Sequence, residues 1–161
     1  MNNFTFKTRE NKPIKFSDLF GNQNELILVF NMGKSCPYCT LWADGFNGMV
    51  HHLENRAGFA LVSPDTPKIQ NPFANSRGWK FTMVSCQNMD FFKQTGFFNG
   101  KDGCWPGIAT FIRKKTGNIF RYTKSYFGPG DNYCNMWDIN DLLPPLEEEW
   151  APKYSYSKTG D

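Results

Sequence analysis

The sequence predicts one α/β domain, a central mixed β-sheet flanked by helices with an N-terminal β-hairpin extension, and three observations carry that prediction. Leu26-Ile27-Leu28-Val29-Phe30 is an unbroken apolar run, the pattern of a strand buried on both faces beneath covering helices. Residues 37–54 then space Leu41, Trp42, Phe46, Met49, Val50 and Leu53 by about three and four, which is a helical period. A second buried-strand candidate, Phe59-Ala60-Leu61-Val62, and a third strand, Phe81-Thr82-Met83-Val84, flank a looser helical stretch over 64–77. Strand, helix, strand, helix, strand implies right-handed crossovers.

The remaining elements follow in chain order. Phe4-Thr5-Phe6-Lys7 and Ile14-Lys15-Phe16 alternate apolar with polar residues around Glu10-Asn11-Lys12-Pro13, a hairpin. With the capped turn Ser17-Asp18-Leu19-Phe20 this extension occupies residues 1–20. Gly45 and Gly48 interrupt the first helical pattern, each at a cost of up to ~1 kcal/mol relative to Ala. Residues 85–103, rich in Asn, Gly and Phe, read as an irregular loop with one helical turn at 90–93. Residues 108–112 and 119–122 form a hairpin around Lys115-Thr116-Gly117-Asn118. Trp137, Ile139, Leu142 and Leu143 predict a final amphipathic helix that Pro144-Pro145 ends. The domain thus spans 1–146 and leaves 147–161 as a polar, peripheral tail.

Composition narrows the function classes. A chain of 161 residues fits one domain that buries roughly two-thirds of its unfolded surface. The 16 Phe, 6 Tyr and 5 Trp require a core built largely of rings. The net charge of +3 is scattered apart from Arg113-Lys114-Lys115 beside a turn, so no nucleic-acid partner is expected. No stretch approaches the ~18 apolar residues of a membrane span, and the first residues lack a basic-then-apolar leader, so no membrane partner and a cytoplasmic location are expected. Five Cys, an odd number, suit a reducing compartment in which a thiol pair is chemistry.

Cys36-Pro37-Tyr38-Cys39 is that pair. It follows the buried strand by the short loop 31–35 and opens the helical pattern. Cys36 at a helix N-terminus gains from unpaired amides and the helix dipole, and Cys39, one turn on, is placed to attack a mixed disulfide. Pro37 suits the first helical turn. Lys34 either lowers the thiol pKa further or is a solvated surface lysine. Tyr38 and Trp105 are site-shaping candidates, Trp42 reads first as a core or rim aromatic and second as a floor of the site, Cys104 either approaches the dithiol or is a plain buried thiol, and Cys86 and Cys134 read as plain buried thiols. His51 and His52 fall about three helical turns beyond Cys39, ~18 Å at 1.5 Å per residue, which excludes a zinc site built on the dithiol. Residues 31–35 lack the spacing of a phosphate loop.

The stretch 26–36 resembles the strand and loop before the dithiol of thioredoxins, and the Pro-Tyr dipeptide is that of dithiol glutaredoxins. The hairpin with Lys12-Pro13-Ile14-Lys15-Phe16-Ser17-Asp18-Leu19 resembles the extension of peroxiredoxins and membrane-tethered thioredoxins. More narrowly, residues 36–48, Gly78-Trp79-Lys80-Phe81 and Tyr122-Thr123-Lys124-Ser125-Tyr126 resemble a bacterial thioredoxin-like family of unknown function. The resemblance implies a thiol-disulfide oxidoreductase in which Cys36 attacks a disulfide and Cys39 resolves it. Its partners would be a protein or small-molecule disulfide and a cellular thiol reductant, with no metal or organic cofactor. It also makes Pro106 either the cis-proline that faces the dithiol or an ordinary loop proline. Two departures stand out: Phe30 replaces the buried Asp of thioredoxins, leaving Lys34, Asp44 or water as proton acceptor, and Gly33 stands where peroxiredoxins carry Thr or Ser. A glutaredoxin-like dipeptide implies a potential near ~−200 to −230 mV. The rival readings are a redox-inactive binding scaffold on the same fold and glutathione-dependent transfer.

Overall fold

The computed structural model describes residues 1–157. Seven strands form one mixed sheet: β1 (Thr5–Thr8), β2 (Pro13–Lys15), β3 (Glu25–Phe30), β4 (Gly58–Ser63), β5 (Thr82–Ser85), β6 (Gly107–Arg113) and β7 (Ile119–Tyr126). Their spatial order is β2-β1-β5-β4-β3-β6-β7. In the parallel centre, β3 beside β4 beside β5, the strands β3 and β4 carry continuous apolar runs while β5 includes Thr82 and Ser85; β6–β7 and β1–β2 add antiparallel margins.

Among the described residues four α-helices, α1 (Pro37–Arg56), α2 (Pro67–Arg77), α3 (Met89–Thr95) and α4 (Met136–Asn140), and a 3-10 turn at Phe16–Phe20 accompany the sheet. Helix α1 runs unbroken through Gly45 and Gly48 because Trp42, Ala43, Phe46 and Val50 bury one face of it. Helix α3 is longer than the single turn expected at 90–93. Asn88 caps it through Asp90 N–H at 3.0 Å, and Phe91, Phe92 and Thr95 are buried. Helix α4 is shorter than its pattern suggested, since Ile139, Leu142 and Leu143 remain exposed.

Strand β3 divides the core. Leu26, Leu28 and Phe30 enter a cluster with Phe6, Phe16, Phe91, Phe97 and Phe111, whereas Val29 joins Trp42, Phe46, Leu61, Trp79 and Phe81 on the opposite side. The first cluster is mainly a network of rings. Phe30 stacks on Phe97 with centroids 3.9 Å apart and planes 12° from parallel, and Phe91 meets Phe4, Phe6, Phe16, Phe30 and Phe92. Burying one such ring contributes ~1.5–3 kcal/mol.

The tail beyond residue 146 is mostly exposed, but it is anchored: Pro152 is buried, Trp150 packs edge-on against Trp137, and Tyr154 packs edge-on against Phe73. Residues 158–161, part of that predicted tail, lie outside the described residues. Among the described residues no helix is long and apolar enough to cross a membrane.

Candidate active site

From the end of β3 the chain turns into α1 within six residues, and Asn31 organises the turn. Its Oδ1 accepts the Gly33 N–H at 2.8 Å, and its Nδ2 donates to the Cys39 carbonyl at 3.2 Å. Gly33 sits at φ +106, where an added Cβ would lie 2.8 Å from both carboxylate oxygens of Asp65. Backbone and space therefore both demand glycine. Asp65, from the loop after β4, accepts the Lys34 N–H at 2.6 Å, and the Cys36 N–H reaches the Gly33 carbonyl at 3.1 Å.

Cys36 occupies the N-cap of α1 with extended backbone, and its sulfur accepts the Cys39 N–H at 3.1 Å. A thiolate can hold that place as Ser or Asp oxygens do elsewhere. Pro37 follows at the first helical position, where a missing N–H costs nothing. Cys36 is half-buried, Cys39 only 2% exposed, and Cys39 Sγ accepts the Met32 N–H at 3.4 Å.

The two thiols are driven apart in acidity. A hydrogen bond from the Cys39 thiol is the main influence lowering Cys36; burial opposes it, and the N–H groups of Cys39 and Tyr38 assist, bringing Cys36 from 9.0 to about 7. Cys39 is pushed far up, first by donating that hydrogen bond, then by burial, then by the charge on Cys36. Near neutrality the pair is thus one partly ionised, accessible sulfur beside one protonated, buried sulfur.

The other predicted residues are distributed less compactly. Tyr38 lies beside the dithiol with its ring 6.2 Å from Trp42 and 6.3 Å from Trp137. The Lys34 ammonium rests 5.9 Å from the Phe73 ring centroid and is not among the influences on Cys36. Trp105 is 51% exposed. The cis reading of Pro106 is corrected: among the described residues every peptide bond is trans. The Trp105 N–H bonds back to Phe97 O at 2.7 Å, and the Pro106 carbonyl accepts the Phe127 N–H at 3.0 Å, so this proline leads into β6 between two backbone anchors.

Asp44 is committed to Arg77, which pairs with it, and to the Trp79 indole N–H at 2.8 Å, so it is not the proton acceptor of Cys39. Cys104 donates to the Asn31 carbonyl at 3.4 Å; burial raises its pKa and raises that of Cys86 to about 11. His51 and His52 are exposed on α1. Among the described residues no group of three or more His, Cys, Asp or Glu side chains could hold a metal ion.

Asn31, Asp65 and Tyr154 were not singled out from the sequence. Asn31-Met32-Gly33 carries a turn signal that could have identified the first. Asp65 and Tyr154 act across the fold: the Tyr154 hydroxyl donates to the Lys34 carbonyl at 2.5 Å, from 120 residues away.

A family model described as "Bacterial protein of unknown function (DUF899)" matches residues 1–159. Among curated proteins no sequence matches the chain. Three solved structures illustrate the architecture. A PrxQ variant from Xylella fastidiosa aligns with TM-score 0.63 and 19% identity over 87% of each chain. The mitochondrial 2-Cys peroxiredoxin of Plasmodium falciparum gives 0.62 and 19% over 88% of this chain and 89% of its own. The peroxidoxin BcpB of Mycobacterium tuberculosis gives 0.59 and 21% over 74% of this chain and 79% of its own. At such identities the likeness shows a shared fold, the thioredoxin-like one with a seven-stranded mixed sheet.

Proposed function

The chain belongs to that bacterial family, and from this premise we propose that it is a thiol-disulfide oxidoreductase working through Cys36 and Cys39 in a reducing compartment. The observation that carries the reading is the divergence of the two thiols, Cys36 lowered to about 7 and Cys39 raised, at the mouth of one helix. Cys36 thiolate attacks a disulfide R–S–S–R′, forming Cys36–S–S–R and expelling R′–S⁻. Cys39 then attacks the Cys36 sulfur, releases R–S⁻ and leaves a Cys36–Cys39 disulfide. An external dithiol, or two thiol molecules, then returns two electrons and two protons to the pair and is itself oxidised to a disulfide.

The second step is self-timed. While Cys36 is a thiolate, it accepts a hydrogen bond from Cys39 and repels a second negative charge, two of the three leading causes that keep Cys39 protonated. A mixed disulfide abolishes both, so Cys39 becomes more acidic when it must act. Peroxide reduction is not favoured by this site. Gly33 carries no hydroxyl, and the Asp65 carboxylate fills the space where a side chain at 33 would begin.

The test is reduction of 2-hydroxyethyl disulfide coupled to a thiol reductant, with Cys36→Ser and Cys39→Ser alongside. The reading expects loss of turnover in both, and in Cys39→Ser a stable adduct on Cys36 visible by mass spectrometry. A wild-type protein that reduces no disulfide would instead be a binding scaffold on this fold.

A further inference from the structure

On the Tyr38 side of the dithiol lies an open cleft of about 460 Å³, a volume within the range of ligand-binding clefts. Tyr38 forms one wall and Trp137 and Trp150 continue it, with Trp137 6.3 Å from Tyr38 and 6.4 Å from Trp150 between ring centroids. The charged residues that line the cleft are all acidic, Asp141, Glu148 and Glu149. In a chain of net charge +3 this is a local reversal, and among the described residues none of the three is in an ion pair.

We propose that this cleft is the specificity subsite of the dithiol, and that it takes a Lys- or Arg-bearing segment beside the cysteine of a polypeptide disulfide. The proposal rests on the disulfide-exchange reading for its chemistry. Indole and phenol faces attract a cation through the ring quadrupole, a guanidinium can also stack on them, and unpaired carboxylates neutralise its charge. Tyr38 stands two positions after the attacking sulfur and its side chain lines the cleft, while neither cysteine does, so the cleft can take a residue that neighbours the disulfide rather than the disulfide itself. Cation and disulfide must then belong to one molecule, as adjacent residues of a polypeptide do.

The wall is held in advance. The segment that supplies Glu148, Glu149 and Trp150 is pinned beyond them by buried Pro152, by Tyr154 O–H to the Lys34 carbonyl at 2.5 Å and by Arg77 to the Tyr154 carbonyl at 2.6 Å. A site ordered before binding loses less entropy when it is filled.

Matched peptide disulfides whose cysteine is flanked by Arg or by Glu test this, with neutral 2-hydroxyethyl disulfide as reference. The Arg peptide should exceed the Glu peptide in kcat/KM by at least about fivefold at low salt. The ratio should narrow toward unity in about 0.5 M salt, and should fall below about twofold in E148Q/E149Q. A second arm titrates the same peptides, with Ser for Cys, into the full chain by calorimetry. Turnover of 2-hydroxyethyl disulfide with equal rates on the two peptides overturns the subsite and leaves the exchange reading standing. Equal binding of the two Ser peptides overturns the subsite whatever the dithiol does. Preferential binding of the Arg peptide without turnover of any disulfide supports the cleft and overturns the exchange reading.

Discussion

Cys36 and Cys39 are neighbours of the same chemical type, and their difference is made by position alone: one caps a helix, the other lies a turn inside it and buried. The rate of Cys36 alkylation should therefore inflect near pH 7. In Cys39→Ala the inflection should move upward toward 9, because the principal stabiliser of the thiolate is gone. Mass spectrometry of the reduced protein measures both. An unchanged inflection would show that backbone amides alone set the acidity. At this scale the dithiol and the role of Pro37 were legible in the sequence, since both depend on neighbours within four positions. The roles weighed for Lys34 and Asp44 were not, because a long side chain's partner comes from elsewhere in the fold: Phe73 for one, Arg77 and Trp79 for the other.

The β3–loop–α1 unit shows how an element boundary is enforced by a distant residue. Gly33→Ala should destabilise the protein by ~1–3 kcal/mol, combining a strained φ with a clash against Asp65. Denaturation of Gly33→Ala, Asp65→Ala and the double variant should give non-additive losses, the double costing less than the sum, because removing the carboxylate clears the space the new methyl needs. Additive losses would assign the whole cost to φ. Strands β3 and β4 were readable as uninterrupted apolar runs, and α1 as a helical period, since both record burial along contiguous sequence. The sequence implies too short an α3 because Phe91 and Phe92 bury into rings contributed by β1, the 3-10 turn at Phe16–Phe20 and β3, which local Asn and Gly content does not announce.

For the whole molecule, aromatic packing and buried thiols set stability. Phe91→Ala removes a ring that touches five others and should cost ~3–5 kcal/mol in urea denaturation. Stability should also fall as pH rises through about 9. Cys39, Cys86 and Cys104 keep their protons in the fold, whereas the unfolded chain releases them near ~8.5. The unfolded state then binds fewer protons, so the free energy of unfolding declines with pH. Cys36 works the other way: its folded pKa is depressed, so its contribution is present above the unfolded value and is lost as pH falls through about 7. Thermal midpoints at pH 8 and 9.5 read the sum, and Cys104→Ser should flatten the alkaline decline. What the sequence showed at this scale was the fold and the dithiol; the acidic aromatic cleft required folding, because its walls come from residues 38, 137 and 148–150.

Strand β3 is bonded along both edges, to β4 from Leu26 to Phe30 and to β6 from Glu25 to Phe30. Its amides cannot reach deuterated solvent without parting the sheet, so they should exchange only when the entire chain opens. The Cys36 sulfur is thus mounted six residues from the strand expected to exchange most slowly: if the proposed disulfide exchange operates, its cycles would pass through the loop and the helix cap many times over while that strand kept its original protons.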